Sequence, residues 1–377
     1  MRRLWQHGLY TGFLLAAAAG WTSCSTSANA QGPTAPTRPI TTANSTAGGA
    51  PVQAPGAQQA IDPAGEEIQG IIERAATLYD ANERVKAIAV LEQGLAKYPN
   101  DPDLVTFHAE WLHLDAVEAL EAKEIDKAMA IYAKVFATLQ KFPKDVTPTL
   151  EEKQLFQEIY YNVATAFSEK GDKARCLAYL KQSIVFGFDD DAYLAEDKDM
   201  AILLGTPELD TILRGIQVTK VQNVLEAIDQ FESFPFDFNT TDVNGRPMSL
   251  KDYRGKLLVV DIWATWCIPC RAEIPHFVDL MRKYGNTGFD VVGFNFENEE
   301  GPKDPEALAT VRKFLADQKV PYRCSLISNE VRAQIPGDVQ SLPTTLFIDQ
   351  TGKVRLVLVG SHPKYILEAV TAKLMAK

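Results

Sequence analysis

The stretch Leu257-Leu258-Val259-Val260-Asp261-Ile262-Trp263-Ala264-Thr265-Trp266-Cys267-Ile268-Pro269-Cys270-Arg271-Ala272-Glu273-Ile274-Pro275 decides the fold of the C-terminal part of the chain. Its first seven residues are a continuous β-rich run, the pattern of a strand buried on both faces. Ala264-Thr265-Trp266 reads as a loop and Arg271 to Lys283 as a helix, so two cysteines sit at a strand-to-helix junction. Two thiols one helical turn apart can close a disulfide with little backbone movement. At a helix N-terminus the macrodipole and the free N–H groups stabilise the thiolate of the first. Cys267 is therefore the expected nucleophile of thiol–disulfide exchange, and Cys270 the thiol that resolves the mixed disulfide. Pro269 suits the first helical turn, where a missing N–H costs nothing. Zinc needs four ligands. With no second Cys-x-x-Cys, and only His276 and His362 as histidines of this region, no metal is expected.

Outward from this stretch the pattern alternates. Phe289 to Phe296 reads as a second buried strand and Pro305 to Gln318 as a helix. Thr344 to Asp349 and Val354 to Val359 are strands joined by a Gln350-Thr351-Gly352 turn, and Lys364 to Leu374 is a closing helix. Strands alternating with helices, then a hairpin and a helix, give an α/β sandwich over residues 231–377. Cys324, on a short strand in Tyr322-Arg323-Cys324-Ser325, reads as structural.

The segment Val260 to Pro275 resembles the active-site segment of thioredoxin-fold proteins, in the extracytoplasmic branch typified by TlpA and ResA. Phe236-Asp237-Phe238, Asn244-Gly245-Arg246 and Tyr253-Arg254-Gly255-Lys256 resemble the extra N-terminal hairpin of that branch. Ser341-Leu342-Pro343-Thr344-Thr345 resembles its cis-proline segment. The resemblance implies a Cys267–Cys270 redox disulfide and a cis Pro343 beside it, whose missing N–H leaves nearby backbone free to pair with an extended substrate. It also implies substrate contact by Trp266 and Leu342, with Trp263 left to core packing. Asp261 stands where thioredoxin keeps a buried acid, and Glu273 where the ResA branch has one. A partly buried carboxylate has a raised pKa and can take the proton from Cys270. Having both departs from either pattern, so which carboxylate acts stays open.

Upstream, from about Glu67 to Ile228, apolar residues fall at helical spacing. Lys86-Ala87-Ile88-Ala89, Lys127-Ala128-Met129-Ala130 and Lys173-Ala174-Arg175-Cys176 are related, each with an aromatic about twelve residues on. The region resembles tetratricopeptide repeats, with copies further apart than that family's ~34 residues. The run from Gly187-Phe188 to Pro207-Glu208-Leu209 resembles the tail that closes such arrays in bacteria. A helical domain over 67–228 is therefore expected, suited to docking a partner or bracing its neighbour. His108 and His113, five apart, do not form an i, i+4 ligand pair, and Cys176 reads as a small hydrophobe.

Met1-Arg2-Arg3 followed by an apolar core from Gly8 to Trp21 reads as an export signal over residues 1–30. Ala28-Asn29-Ala30 fits signal peptidase, while Cys24 behind the apolar core resembles a lipoprotein cleavage site; both routes stay open. Residues 31–66, rich in Pro, Thr, Ala, Gly and Gln, read as a disordered linker. The chain has 377 residues and a net charge of -11, which argues against nucleic acid as a ligand. No nicotinamide or flavin fingerprint is present, so no cofactor is expected.

The reading that follows is an exported thiol-disulfide oxidoreductase of the periplasm or cell envelope, acting as a reductase of protein disulfides. The resemblance implies a membrane thiol carrier of the CcdA or DsbD kind as electron donor. One alternative is a thiol peroxidase, since peroxiredoxins share the fold. Their Pro-x-x-x-Thr-x-x-Cys pattern is missing here, with Val260 at the proline position and Thr265 two residues before Cys267. The other alternative is a helical-repeat scaffold with an ancillary thioredoxin domain.

Overall fold

In the computed structural model the described residues are 62–297, 304–335 and 341–376. The expected export signal, Cys24 and the linker up to residue 61 lie outside them. Residue contacts divide the chain into two compact units at Gly187/Phe188. Among the described residues no helix is long and apolar enough to cross a membrane.

The first unit is all-helical: α1 (Pro63–Asp80), α2 (Arg84–Lys97), α3 (Pro102–Glu121), α4 (Ile125–Leu139), α5 (Leu150–Glu169) and α6 (Lys173–Val185). Helix α1 begins inside the stretch read as linker. Pro63 fits the first turn, and the Asp62 carboxylate accepts from the Ala64 N–H at 3.1 Å. The helices pack as pairs α1/α2, α3/α4 and α5/α6, and the turn inside each pair is the same. Asn82, Lys123 and Gly171 have positive φ of 62°, 61° and 74°. The following N–H groups, of Glu83, Glu124 and Asp172, donate to the carbonyls of Leu78, Ala119 and Phe167. A left-handed residue after the helix end, with this six-to-one bond, is the Schellman arrangement. Around each turn small residues are wholly buried: Ala75, Ala116 and Ala164 on the first helices, Ala87, Ala128 and Cys176 on the second. One turn further on, Leu91, Tyr132 and Leu180 are buried as well.

The second unit starts with α7 (Asp191–Glu196) and α8 (Pro207–Gln230). These helices were expected with the preceding ones, but they belong to the unit that holds the sheet. Val221, Val224, Leu225 and Ile228 of α8 pack in the same core as Leu367, Val370 and Leu374 of α12 (Lys364–Met375). Asp191 fixes the junction, accepting from Tyr365 Oη at 2.9 Å, Gln217 Nε2 at 2.9 Å and Lys220 Nζ at 3.2 Å.

The remaining elements are β1 (Phe234–Pro235), β2 (Asn239–Thr241), β3 (Pro247–Ser249), β4 (Leu257–Trp263), α9 (Ile268–Tyr284), β5 (Phe289–Asn295), α10 (Pro305–Asp317), β6 (Arg323–Leu326), α11 (Asn329–Arg332), β7 (Thr344–Ile348) and β8 (Lys353–Val359). They form a six-stranded sheet in the order β1-β8-β7-β4-β5-β6 and a separate β2–β3 hairpin. Strands β4, β5 and β6 are parallel, while β7 runs antiparallel to β4 and β8 to β7. This is the thioredoxin-like arrangement expected from the sequence. Every residue of β4 is buried. Leu257, Val259 and Trp263 join the core under α9, α10 and α12, and Leu258, Val260 and Ile262 the core on the other face, with Phe236, Phe238 and Met248.

Asp261 in mid-strand pairs in register with Gly293 of β5 and Thr345 of β7. Gly293 admits no side chain: a Cβ there would lie 2.5 Å from Cys324 Sγ and 2.9 Å from Trp263 Nε1. Gly293→Ala should therefore destabilise the fold by about 1–3 kcal/mol. Adding Cys324→Ala should return part of that loss, which urea unfolding of the two single variants and the double variant measures. Additive losses would show that the sulfur does not set the constraint.

Candidate active site

Strand β4 ends at Trp263, and the next four residues bring the chain to the start of α9. Cys267 is the N-cap of that helix, with extended φ and ψ of -81° and 103°, and its sulfur accepts the Cys270 N–H at 3.2 Å. The two sulfurs are joined in a disulfide, with Cα atoms 5.3 Å apart. Both cysteines are buried, whereas the flanking Trp266 and Ile268 are 60% and 77% exposed. Two exposed apolar side chains therefore flank Cys267 in the chain. The loop before Cys267 is held by Glu297, whose carboxylate accepts from Thr265 N at 3.2 Å and Oγ1 at 2.5 Å; Trp266 Nε1 donates to the Glu297 carbonyl at 3.3 Å.

Glu273 lies one turn along α9 from Cys270 and is 1% exposed. Its Oε1 accepts from the His362 N–H at 2.9 Å, and its Oε2 is buried with no hydrogen-bond partner. Burial pushes its pKa up to about 7, against the opposing pull of the His362 N–H. Asp261, also 1% exposed, accepts from Tyr322 Oη at 3.1 Å. Burial holds its carboxyl well above the usual range and the nearby Glu273 adds to this, while the Tyr322 hydroxyl opposes it. Two carboxyl groups therefore interact on the α9 side of the sheet.

The Leu342–Pro343 peptide is cis and Pro343 is buried. Leu342 packs against the core cluster that contains Cys267 and Cys270. Trp263 is fully buried and packs on Phe314, 5.0 Å between ring centroids, as its assignment to the core anticipates. Cys324 is buried with its thiol pKa pushed well up, first by burial and then by Asp261, which suits a structural thiol. Sequence reasoning missed Tyr322, Glu297 and His362, which meet the site residues only in three dimensions. A signal existed for Tyr322: it lies two residues before Cys324, the spacing that puts two strand residues on one face.

Residues 232–357 match the AhpC/TSA family. Among curated proteins, the thiol-disulfide oxidoreductase ResA of Bacillus thuringiensis (strain Al Hakam) is 29% identical over 148 residues, spanning 37% of this chain and 75% of its own. ResA of Geobacillus kaustophilus (strain HTA426) is 30% identical over 132 residues, 35% of this chain and 71% of its own. The chain belongs to the ResA family of thiol-disulfide oxidoreductases. Among solved structures, a thiol:disulfide interchange protein of the thioredoxin family from Chlorobium tepidum TLS is 28% identical, covering 38% of this chain and 98% of that one, with a TM-score of 0.34. The family match falls in the second unit.

The site makes stability depend on pH. Folded, Glu273 keeps its proton up to about pH 7, whereas its ordinary value is 4.5. Between those values the native state binds more protons than the unfolded chain, so stability falls as pH rises through that window. Asp261 bends the profile in the same direction. Glu273→Gln should remove the Glu273 share, so that the variant loses up to about 3 kcal/mol less than the parent between pH 4.5 and 8. Urea midpoints of the disulfide form across that range measure it, and parallel profiles would contradict the assignment.

Proposed function

We propose that this thiol-disulfide oxidoreductase is an extracytoplasmic reductase of protein disulfides. The carrying observation is the Cys267–Cys270 pair at the start of α9 with the buried Glu273 one turn behind it. In the reduced protein, the Cys267 thiolate attacks a substrate disulfide. A bond forms between Cys267 Sγ and one substrate sulfur, and the other leaves as a thiolate. Cys270 then gives its proton to a carboxylate and attacks Cys267 Sγ, which releases the second substrate thiolate and leaves the protein oxidised. Two electrons pass to the substrate, and a membrane thiol carrier of the CcdA or DsbD kind returns them.

Glu273 is the proton acceptor in this reading. A group poised near pH 7 is ionised part of the time and basic enough to take a thiol proton. Asp261, held well above the usual range, stays protonated beside it. Trp266, Ile268 and Leu342 offer apolar contact to an extended substrate, and the cis Pro343 has no N–H of its own to compete for substrate carbonyls. The expected export signal, with Cys24 as an alternative lipid anchor, supports a periplasmic or cell-envelope location for this chemistry. The repeated helix-pair turn supports a tetratricopeptide-like first unit suited to docking a protein.

Cys267→Ser should abolish reduction of insulin disulfides, and Cys270→Ser should accumulate a mixed disulfide that thiol labelling and mass spectrometry detect. Equal trapping by both variants would overturn the division of roles. Peroxide consumption measured beside insulin reduction separates a peroxidase from this reading.

Direction is a separate expectation. Ile268-Pro269 offers the Cys267 thiolate no donor and no positive charge, and the Arg271 guanidinium lies 5.8 Å from the Phe314 ring centroid. The reduced form lacks the stabilisation that makes a strong oxidant, so the potential should fall nearer about -270 mV than about -120 mV. Equilibration in glutathione or dithiothreitol buffers measures it. A value above about -180 mV would make the protein an oxidant.

A further inference from the structure

A cavity of about 280 Å³ in the second unit is lined by Asp242 and Arg246 of the β2–β3 turn, Arg312 of α10, and Tyr322 and Arg323 at the start of β6. Its charge runs against that of the chain. Three arginines face one aspartate in the lining, a net of +2, in a protein of net charge -11. The aspartate organises the arginines. Its side chain is 1% exposed and both oxygens are fully used. Oδ1 accepts from the Asn244 and Arg246 N–H groups at 3.0 Å, and Oδ2 from Arg246 Nε and Arg323 Nε at 3.0 Å. Arg323 spends Nη2 on the carbonyls of Arg246 and Pro247. Arg312 donates through Nε to the Val243 carbonyl.

Among the described residues, Arg246 and Arg312 thus engage the protein through Nε, and their Nη groups have no protein acceptor. Both side chains are exposed at the rim of the cavity, and the outer fork of a guanidinium held at Nε matches two oxygens of an oxyanion. The volume falls just below the ~300–1,000 Å³ usual for small-molecule sites, so the occupant is a compact ion.

We propose that this cavity binds a compact oxyanion of the phosphate or dicarboxylate class, held by the forks of Arg246 and Arg312 with Arg323 as the third positive group. The cavity shares Tyr322 with the surroundings of Asp261, whereas the arginines proposed to hold the ion make none of the contacts described for the dithiol. Calorimetric titration of the full chain with inorganic phosphate and with malonate, against sodium chloride at equal ionic strength, tests it. At least one ion should bind saturably to one site. Phosphate alone would assign a phosphoryl ligand and malonate alone a carboxylate. Arg312→Met should weaken binding tenfold or more, and Arg312→Lys, which keeps the charge without the fork, should fall between. Thermal melting checks that both are folded, and Arg246→Lys gives a second reading on the other fork. Neither ion binding beyond the chloride control, or unchanged affinity in Arg312→Met, would overturn the proposal.

Discussion

The site is organised around one constraint, a carboxyl group at the centre of a strand that is covered on both faces. Leaving Asp261 charged there would be costly, since a buried charge without a counter-ion loses its hydration and regains little. Among its described contacts it receives a neutral hydrogen bond from Tyr322 and no salt bridge. It therefore keeps its proton. Its register partner on β5 is Gly293, whose bare Cα lets Cys324 and Trp263 close over that position. The parallel edge of the sheet is thus shaped to the surroundings of a protonated acid.

A second carboxyl in the same low-dielectric region cannot ionise independently of the first. Two interacting acids titrate as a pair, and the group with better support for its charge ionises first. Glu273 has that support, from the His362 N–H and from a position one turn into α9. Asp261 sits deeper, with only a phenol. The sheet and the helix therefore give two carboxyl groups, twelve residues apart in sequence, different protonation tasks. That difference supports Glu273 as the acceptor in the proposed mechanism.

What was legible in the sequence follows from what is local. The unbroken apolar run of β4, the Cys-x-x-Cys at its end and the Pro343 segment declare themselves within a few residues. The α/β order needed only periodicity. Partners that reach the site through folding carried no such mark. The His362 N–H is a backbone group, invisible to residue type, and Glu297 lies just past the end of the neighbouring strand. The grouping of α8 with the sheet was hidden for a different reason. Its apolar spacing is that of any amphipathic helix, and only the packing of α12 decides which core it joins.

The helical unit separates two things that a repeat period combines. The turn within each pair is set by one left-handed residue and one six-to-one bond, and small residues around it let the helices touch. Those features recur at Glu83, Glu124 and Asp172, hence 41 and then 48 residues apart. The inequality arises outside the turn. Four residues, 98–101, connect α2 to α3, but ten residues, 140–149, connect α4 to α5. Lengthening a connection costs little, because closure entropy grows only with the logarithm of length. Changing the turn would separate Ala75 from Ala87 and their counterparts, exposing a core that each pair cannot replace. Packing therefore fixes the turn and leaves the period free, so the repeat shows in geometry more clearly than in sequence spacing.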